Sequence, residues 1–131
     1  MKSMKFTRIV IGIFLIFFTM NFTNKKSFEN KPHFTYCHAE NFDDQILYVS
    51  NVFECNLSTD ESTHREIKKR LRAEWTKVVN TKGVEGNDPI AVSRFLPRES
   101  SIESSRKDYI AFKEELGMKI VYINDFSFDC D

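Results

Sequence analysis

Glycine is scarce in this chain, with four among 131 residues and none in a run. That excludes a glycine-rich phosphate loop, and no nucleophile elbow is present either. Net charge is lacking too: 19 basic residues balance 19 acidic ones. Lys2, Lys5 and Arg8 all fall in the leading segment, so the remainder carries 16 basic against 19 acidic groups. Nothing there attracts a polyanion, and no nucleic-acid partner is expected. His33, Cys37 and His38 lie close together in sequence, but their spacing matches no zinc pattern, so neither metal nor cofactor is expected. Cys37 or Cys55 could be combined with His64 as nucleophile and base, yet no local feature marks either thiol as activated. The paired acids Asp43 with Asp44 and Asp129 with Asp131 fall at a turn and at the terminus, whereas glycoside hydrolysis needs two carboxyls across a cleft. These absences favour a non-catalytic protein.

There is one long apolar run, Ile9 to Met20 (IVIGIFLIFFTM), and Lys2, Lys5 and Arg8 precede it without an acid. This is the basic n-region and apolar h-region of an export signal. A dozen helical residues reach about 18 Å, short of the roughly 30 Å hydrocarbon core. Residues 1–23 are therefore read as a signal peptide, with an uncleaved anchor through residues 9–20 as the alternative, because no A-x-A triplet follows. The expected address is the periplasm or the extracellular space. Residues 24–44 are polar and irregular and read as a tether and lead-in; residues 45–131 read as a single domain.

Within that domain, ILYVSNVFEC (Ile46 to Cys55) is rich in β-branched and aromatic residues. Leu47, Val49 and Phe53 fall on one face, Ile46, Tyr48 and Val52 on the other, the pattern of a central strand. Ser58 and Glu61 have capping-box spacing, and Ile67, Leu71, Trp75, Val78 and Val79 form one helical stripe that Gly83 closes. The opposite face carries Lys68, Lys69 and Arg72. These three form a possible binding surface for an acidic polymer, although such spacings more often mark a solvated face. Residues 83–89 are loop, with room for one short edge strand. IAVSRFL then reads as a strand. Ser100 and Glu103 repeat the capping spacing, Ile102, Tyr109, Phe112 and Leu116 form a second stripe, and Gly117 ends it. In the closing segment, Met118, Ile120, Tyr122, Phe126 and Phe128 would line one face of a long strand.

YVSNVFEC at Tyr48 to Cys55 thus finds an echo in AVSRFLPR at Ala91 to Arg98: strand, capped helix and glycine occur twice, followed by a last strand. The pattern predicts an α+β fold, an α/β sandwich with two helices on one face of a small sheet. With an extra strand near residues 83–89 it becomes a ferredoxin-like split β-α-β, the preferred arrangement. Without that strand it is a three-stranded β-α-β-α-β unit whose strands could be parallel. The half-repeats, the V-S-x-x-F strand and the helices ending at Gly83 and Gly117 resemble the sporulation-related repeat (SPOR) domain of bacterial envelope proteins, over about Ile46 to Phe128. The resemblance implies binding of cell-wall glycan by one face of the sheet.

The three cysteines lie downstream of the signal, so an oxidising address predicts one disulfide and one thiol. In the ferredoxin-like arrangement the last strand runs antiparallel to the first, which brings Cys130 to Cys37 and leaves Cys55 free. Parallel strands would instead bring Cys130 to Cys55. The functional expectation is a small exported envelope protein that binds cell-wall glycan or another envelope protein. The alternative is a secreted interaction factor such as a periplasmic inhibitor or immunity protein.

Overall fold

The computed structural model describes residues 30–58 and 60–131, so the export signal predicted for residues 1–23 lies outside the described residues. The elements run β1 (Lys31–Thr35), β2 (Cys37–Asn41), β3 (Ile46–Ser50), β4 (Phe53–Leu57), α1 (Glu61–Asn80), β5 (Ile90–Val92), α2 (Glu99–Glu115) and β6 (Lys119–Ile123). The class is α+β, as the sequence predicts.

A long bent hairpin organises the fold. β2 pairs antiparallel with β3, and β1 continues β2 to pair antiparallel with β4. The register changes between the two halves: Thr35 faces Phe53 and His38 faces Val49, so Asn51 and Val52 bulge opposite Tyr36 alone. Ser50, fully buried, stitches this break, since its Oγ accepts from the Cys37 N–H at 2.8 Å and donates to the Asn51 carbonyl at 2.8 Å. The extra residue inverts the side-chain phase. Phe53 therefore packs with Tyr48, and Val52 with Leu47 and Val49, opposite to simple alternation.

β5 adds antiparallel to β2, and β6 adds parallel to β3, giving the order β5-β2-β3-β6. β3, β5 and β6 thus run in one direction. The ferredoxin-like preference is corrected in favour of the parallel β-α-β-α-β alternative, with β2 inserted antiparallel between β3 and β5. The short edge strand considered for residues 83–89 is not formed; that segment is turns, with Val84 buried. The domain also starts earlier than residue 45, because residues 31–41 of the supposed lead-in supply β1 and β2.

The helices occupy opposite faces of the sheet, a second correction. Leu71, Trp75 and Val79 of α1 pack on Cys37, Ala39 and Tyr48, while Ile102 and Ile110 of α2 pack on Tyr36, Leu47 and Val49. Tyr48 alternates with Leu47 and Val49 along β3, so the two clusters are separated by the sheet. The apolar character of both faces of β3 has this cause: each face receives a helix.

α1 begins as expected, but Asp60 rather than Ser58 caps it by accepting the Ser62 N–H at 3.0 Å. α2 starts at Glu99, with Arg98 at the N-cap position and no side-chain cap bond, so the Ser100–Glu103 box does not form. Gly83 and Gly117 close the two helices at φ +91° and +86°, the left-handed conformation that glycine adopts without strain. Beyond each, an amide folds back: Val84 N–H to the Val79 carbonyl, and Met118 N–H to the Lys113 carbonyl.

β6 ends at Ile123, and a turn at residues 124–125 takes the chain over to the α1 side. Phe126 meets Trp75 edge-on at 5.1 Å between ring centroids and Phe53 at 5.6 Å, so the single long face from Met118 to Phe128 is not realised. The crossing ends in a disulfide between Cys55 and Cys130, with Cα atoms 5.5 Å apart. The predicted Cys37–Cys130 pairing is corrected: Cys37 is the free thiol, buried in the α1-side core. Parallel pairing of β3 with β6 puts their C-terminal ends together, and Cys55 and Cys130 lie beyond those ends.

Candidate functional site

The residues with reactive side chains do not converge. Cys37 and His38 are neighbours on β2 and therefore face opposite sides of the sheet. Burial pushes the Cys37 thiol far up, which makes it a poor nucleophile. Cys55 is held in the disulfide. His33 and His64 meet with ring centroids 5.4 Å apart, each bonded to a nearby backbone carbonyl, of Lys31 and Ser58 respectively. Among the described residues no group of three or more His, Cys, Asp or Glu is placed to hold a metal. Lys68, Lys69 and Arg72 are exposed on the outer face of α1, away from its buried stripe.

A polar cluster that the sequence does not announce lies under α2. The Tyr109 hydroxyl donates to Glu40 Oε1 at 2.9 Å, and Lys113 Nζ forms an ion pair with the same oxygen. Glu40 is 3% exposed. Because the one hydroxyl proton of Tyr109 goes to Glu40, His38 Nδ1, 3.2 Å from that oxygen, must be the donor in their contact. Burial pulls His38 down to about 4, and Lys113 works in the same direction against the opposing pull of Glu40. Burial, then the bond to Glu40, pushes the Tyr109 phenol well up. The cluster therefore holds a neutral imidazole, a neutral phenol and a closed ion pair. His38, Glu40, Tyr109 and Lys113 thus fasten α2 to β2.

The accessible feature is the outer edge of β6. Lys119 N–H donates to the Gln45 carbonyl and the Ile123 carbonyl accepts from Asn51, so Lys119, Val121 and Ile123 turn their backbone groups towards β3. Ile120 and Tyr122 accordingly direct N–H and C=O outwards. Two grooves flank this edge. On the α1 side lies one of about 520 Å³, bounded by Glu74, Lys77, Val78, Val121, Ile123 and Asp125. On the α2 side lies one of about 500 Å³, bounded by Glu103, Ser104, Arg106, Lys107, Ile110 and Tyr122. Tyr122 is 50% exposed and lines both. Arg106 is fixed against it: Nε donates to the Ser50 carbonyl at 2.9 Å and the guanidinium stands 5.6 Å from the Tyr122 ring centroid. A third groove, about 380 Å³, runs between α1 and the C-terminal segment.

The other edge of the sheet is guarded. β5 has three residues and follows Pro89, whereas β6 has five and no proline. The sequence signal for this difference is small: IVYI is one apolar run among several, and Tyr122 reads as a core-facing strand residue. Comparison with protein-family models, with curated proteins and with solved structures yields no match.

Proposed function

We propose that this chain is a small exported, non-catalytic protein-binding module that captures an extended segment of a protein partner along β6. The observation that carries the reading is the open edge: outward N–H and C=O groups at Ile120 and Tyr122, with a groove on each face for the alternate side chains of an added strand. Strand addition draws affinity from main-chain bonds and specificity from such flanking pockets. The Cys55–Cys130 disulfide is consistent with an oxidising, exported environment. No helix among the described residues is long and apolar enough to cross a membrane. Glycan binding by an open sheet face, which the SPOR resemblance implies, has less support, because α1 and α2 cover the two faces of the sheet.

The test is site-specific photocrosslinking in the producing cell, with the photoreactive residue at Tyr122 and, in a control, at Lys69. Protein adducts at Tyr122 and none at Lys69 are expected, together with recovery of the chain outside the cytoplasm. Adducts at Lys69 alone would move the binding surface to the basic face of α1. Co-sedimentation with purified cell wall, with no protein adduct at Tyr122, would replace the reading with a glycan one.

A further inference from the structure

We infer that the strand received at β6 is β6 of a second copy of this chain, paired antiparallel about a two-fold axis at Val121. The inference rests on the reading of β6 as a docking edge and names its occupant. In this register Ile120 exchanges both backbone bonds with Tyr122 of the second copy, and Tyr122 with Ile120, so every outward group of the edge finds its complement. The two four-stranded sheets then join into one continuous sheet.

Side chains agree with that register on both faces. On the α2 side, half-exposed Tyr122 lies directly across from Ile120 of the other copy, an aromatic-aliphatic cross-strand pair. On the α1 side, Val121 faces its symmetry mate. Lys119 faces Ile123, and Asp125 of the second copy, in the turn that follows its β6, borders the same α1-side groove next to Ile123, close to the end of the strand that Lys119 meets. Lys119 and Asp125 are both exposed, and Asp125 lines the α1-side groove with Val121 and Ile123. The edge is therefore self-complementary: basic at its start, apolar in the middle, acidic at its end. Antiparallel self-pairing brings opposite charges together, whereas parallel self-pairing would set Lys119 beside Lys119. Within one chain Lys119 opens β6 and Asp125 lies beyond its opposite end, and the Lys119–Ile123 span alone covers roughly 13 Å of extended strand.

Sedimentation velocity on the full chain recovered from the exported fraction gives the test, with the same protein carrying Lys119→Asp, Asp125→Lys or Tyr122→Pro. The wild type should sediment as a dimer. Lys119→Asp sets acid against acid at both symmetric contacts, and Asp125→Lys sets base against base, so each should weaken association about tenfold. An equimolar mixture of the two should dimerise as the wild type does. In the mixed dimer the acid introduced at position 119 of one chain meets the base introduced at position 125 of the other, and the native Lys119 meets the native Asp125. Tyr122→Pro removes an outward donor that β3 does not use, and should give a folded monomer by circular dichroism. A wild type that is monomeric throughout, a dimer indifferent to all three substitutions, or a mixture that stays monomeric would each overturn the inference. Failure here is separable from failure of the docking reading: a monomeric wild type that crosslinks at Tyr122 to a different protein overturns self-pairing and leaves the edge as the docking site. A monomer with no protein adduct at Tyr122 overturns both.

Discussion

Replacing Lys113 by Met isolates the energetics of the cluster beneath α2. The ammonium side chain is 16% exposed and its carboxylate partner on Glu40 is 4% exposed, so the pair is largely desolvated. Removing one member of a buried pair typically costs about 3 to 5 kcal/mol, because the remaining charge has lost both water and partner. Here the Tyr109 hydroxyl still donates to Glu40, which places the loss near the lower end, at about 3 kcal/mol. Glu40→Gln introduced in addition removes the stranded charge and keeps an oxygen for Tyr109. The double variant should return to within about 1.5 kcal/mol of the wild type, for a coupling of about 2 kcal/mol or more. Urea unfolding followed by far-ultraviolet circular dichroism, with an unchanged m-value, measures all four corners of the cycle. Against a total of roughly 5 to 15 kcal/mol for a domain of this size, the effect is easily read. Single variants that each lose less than about 1 kcal/mol and simply add would show that Glu40 and Lys113 are solvated separately, and the packing of α2 on β2 would be refuted.

The Cys55–Cys130 bond closes a loop with a sequence separation of 75, so its removal by Cys55→Ser with Cys130→Ser should cost about 4.5 kcal/mol by the chain-entropy relation. Peptide mapping without reductant should find Cys55 linked to Cys130, and a Cys37–Cys130 peptide would overturn the parallel pairing of β3 with β6. Leu71→Ala, at a fully buried position, should cost about 2 to 5 kcal/mol, while Lys69→Gln with Arg72→Gln should shift stability by no more than about 0.5 kcal/mol; equal losses would mean the helical phase is wrong. His38 is held below the ordinary histidine value, so the unfolded chain binds the extra proton: its contribution is fully present above pH about 6.5 and is lost as pH falls towards about 4. His38→Gln should flatten that acid limb by on the order of 2 kcal/mol, and an unchanged limb would rule out His38 as its source.

What could be read in the sequence was whatever local periodicity reports. The α1 stripe, with Ile67, Leu71, Trp75 and Val79 buried, follows the 3.6-residue repeat, and both closing glycines adopt positive φ. α2 was legible as a helix, but its inward face was read only in part, because two of its inward positions are basic. Its sheet-facing residues are Ile102, Arg106, Tyr109, Ile110 and Lys113, where Arg106 reaches the Ser50 carbonyl and Lys113 reaches Glu40. Apolar spacing finds Ile102 and Tyr109 correctly but adds Phe112 and Leu116, which are 54% and 60% exposed. β2 escaped for the reciprocal reason. His38 and Glu40 read as polar surface, while the groups that satisfy them, on Tyr109 and Lys113, stand about seventy residues away in the chain. The bulge at Asn51 and Val52 then inverted the phase of Phe53, which no period-2 reading anticipates.

The same long-range pairing that hid β2 also determines where a partner can act. Once His38 and Glu40 are satisfied by α2, the sheet becomes apolar or closed on both faces and can be covered by a helix on each side. A sheet covered twice has only its edges left, and unpaired backbone at an edge is a standing template for another strand. β5 is short and follows Pro89, and its chain continues antiparallel along β1 through the Phe34–Leu96 bridge. β1 and β4 pair with each other, and the segment after Phe126 is drawn across to Cys55. β6 is left with outward amides at Ile120 and Tyr122, and with charges of opposite sign at Lys119 and Asp125. The fixed guanidinium of Arg106 over Tyr122 holds the central side chain of that edge in place before any strand arrives, which lowers the ordering entropy that pairing would otherwise demand.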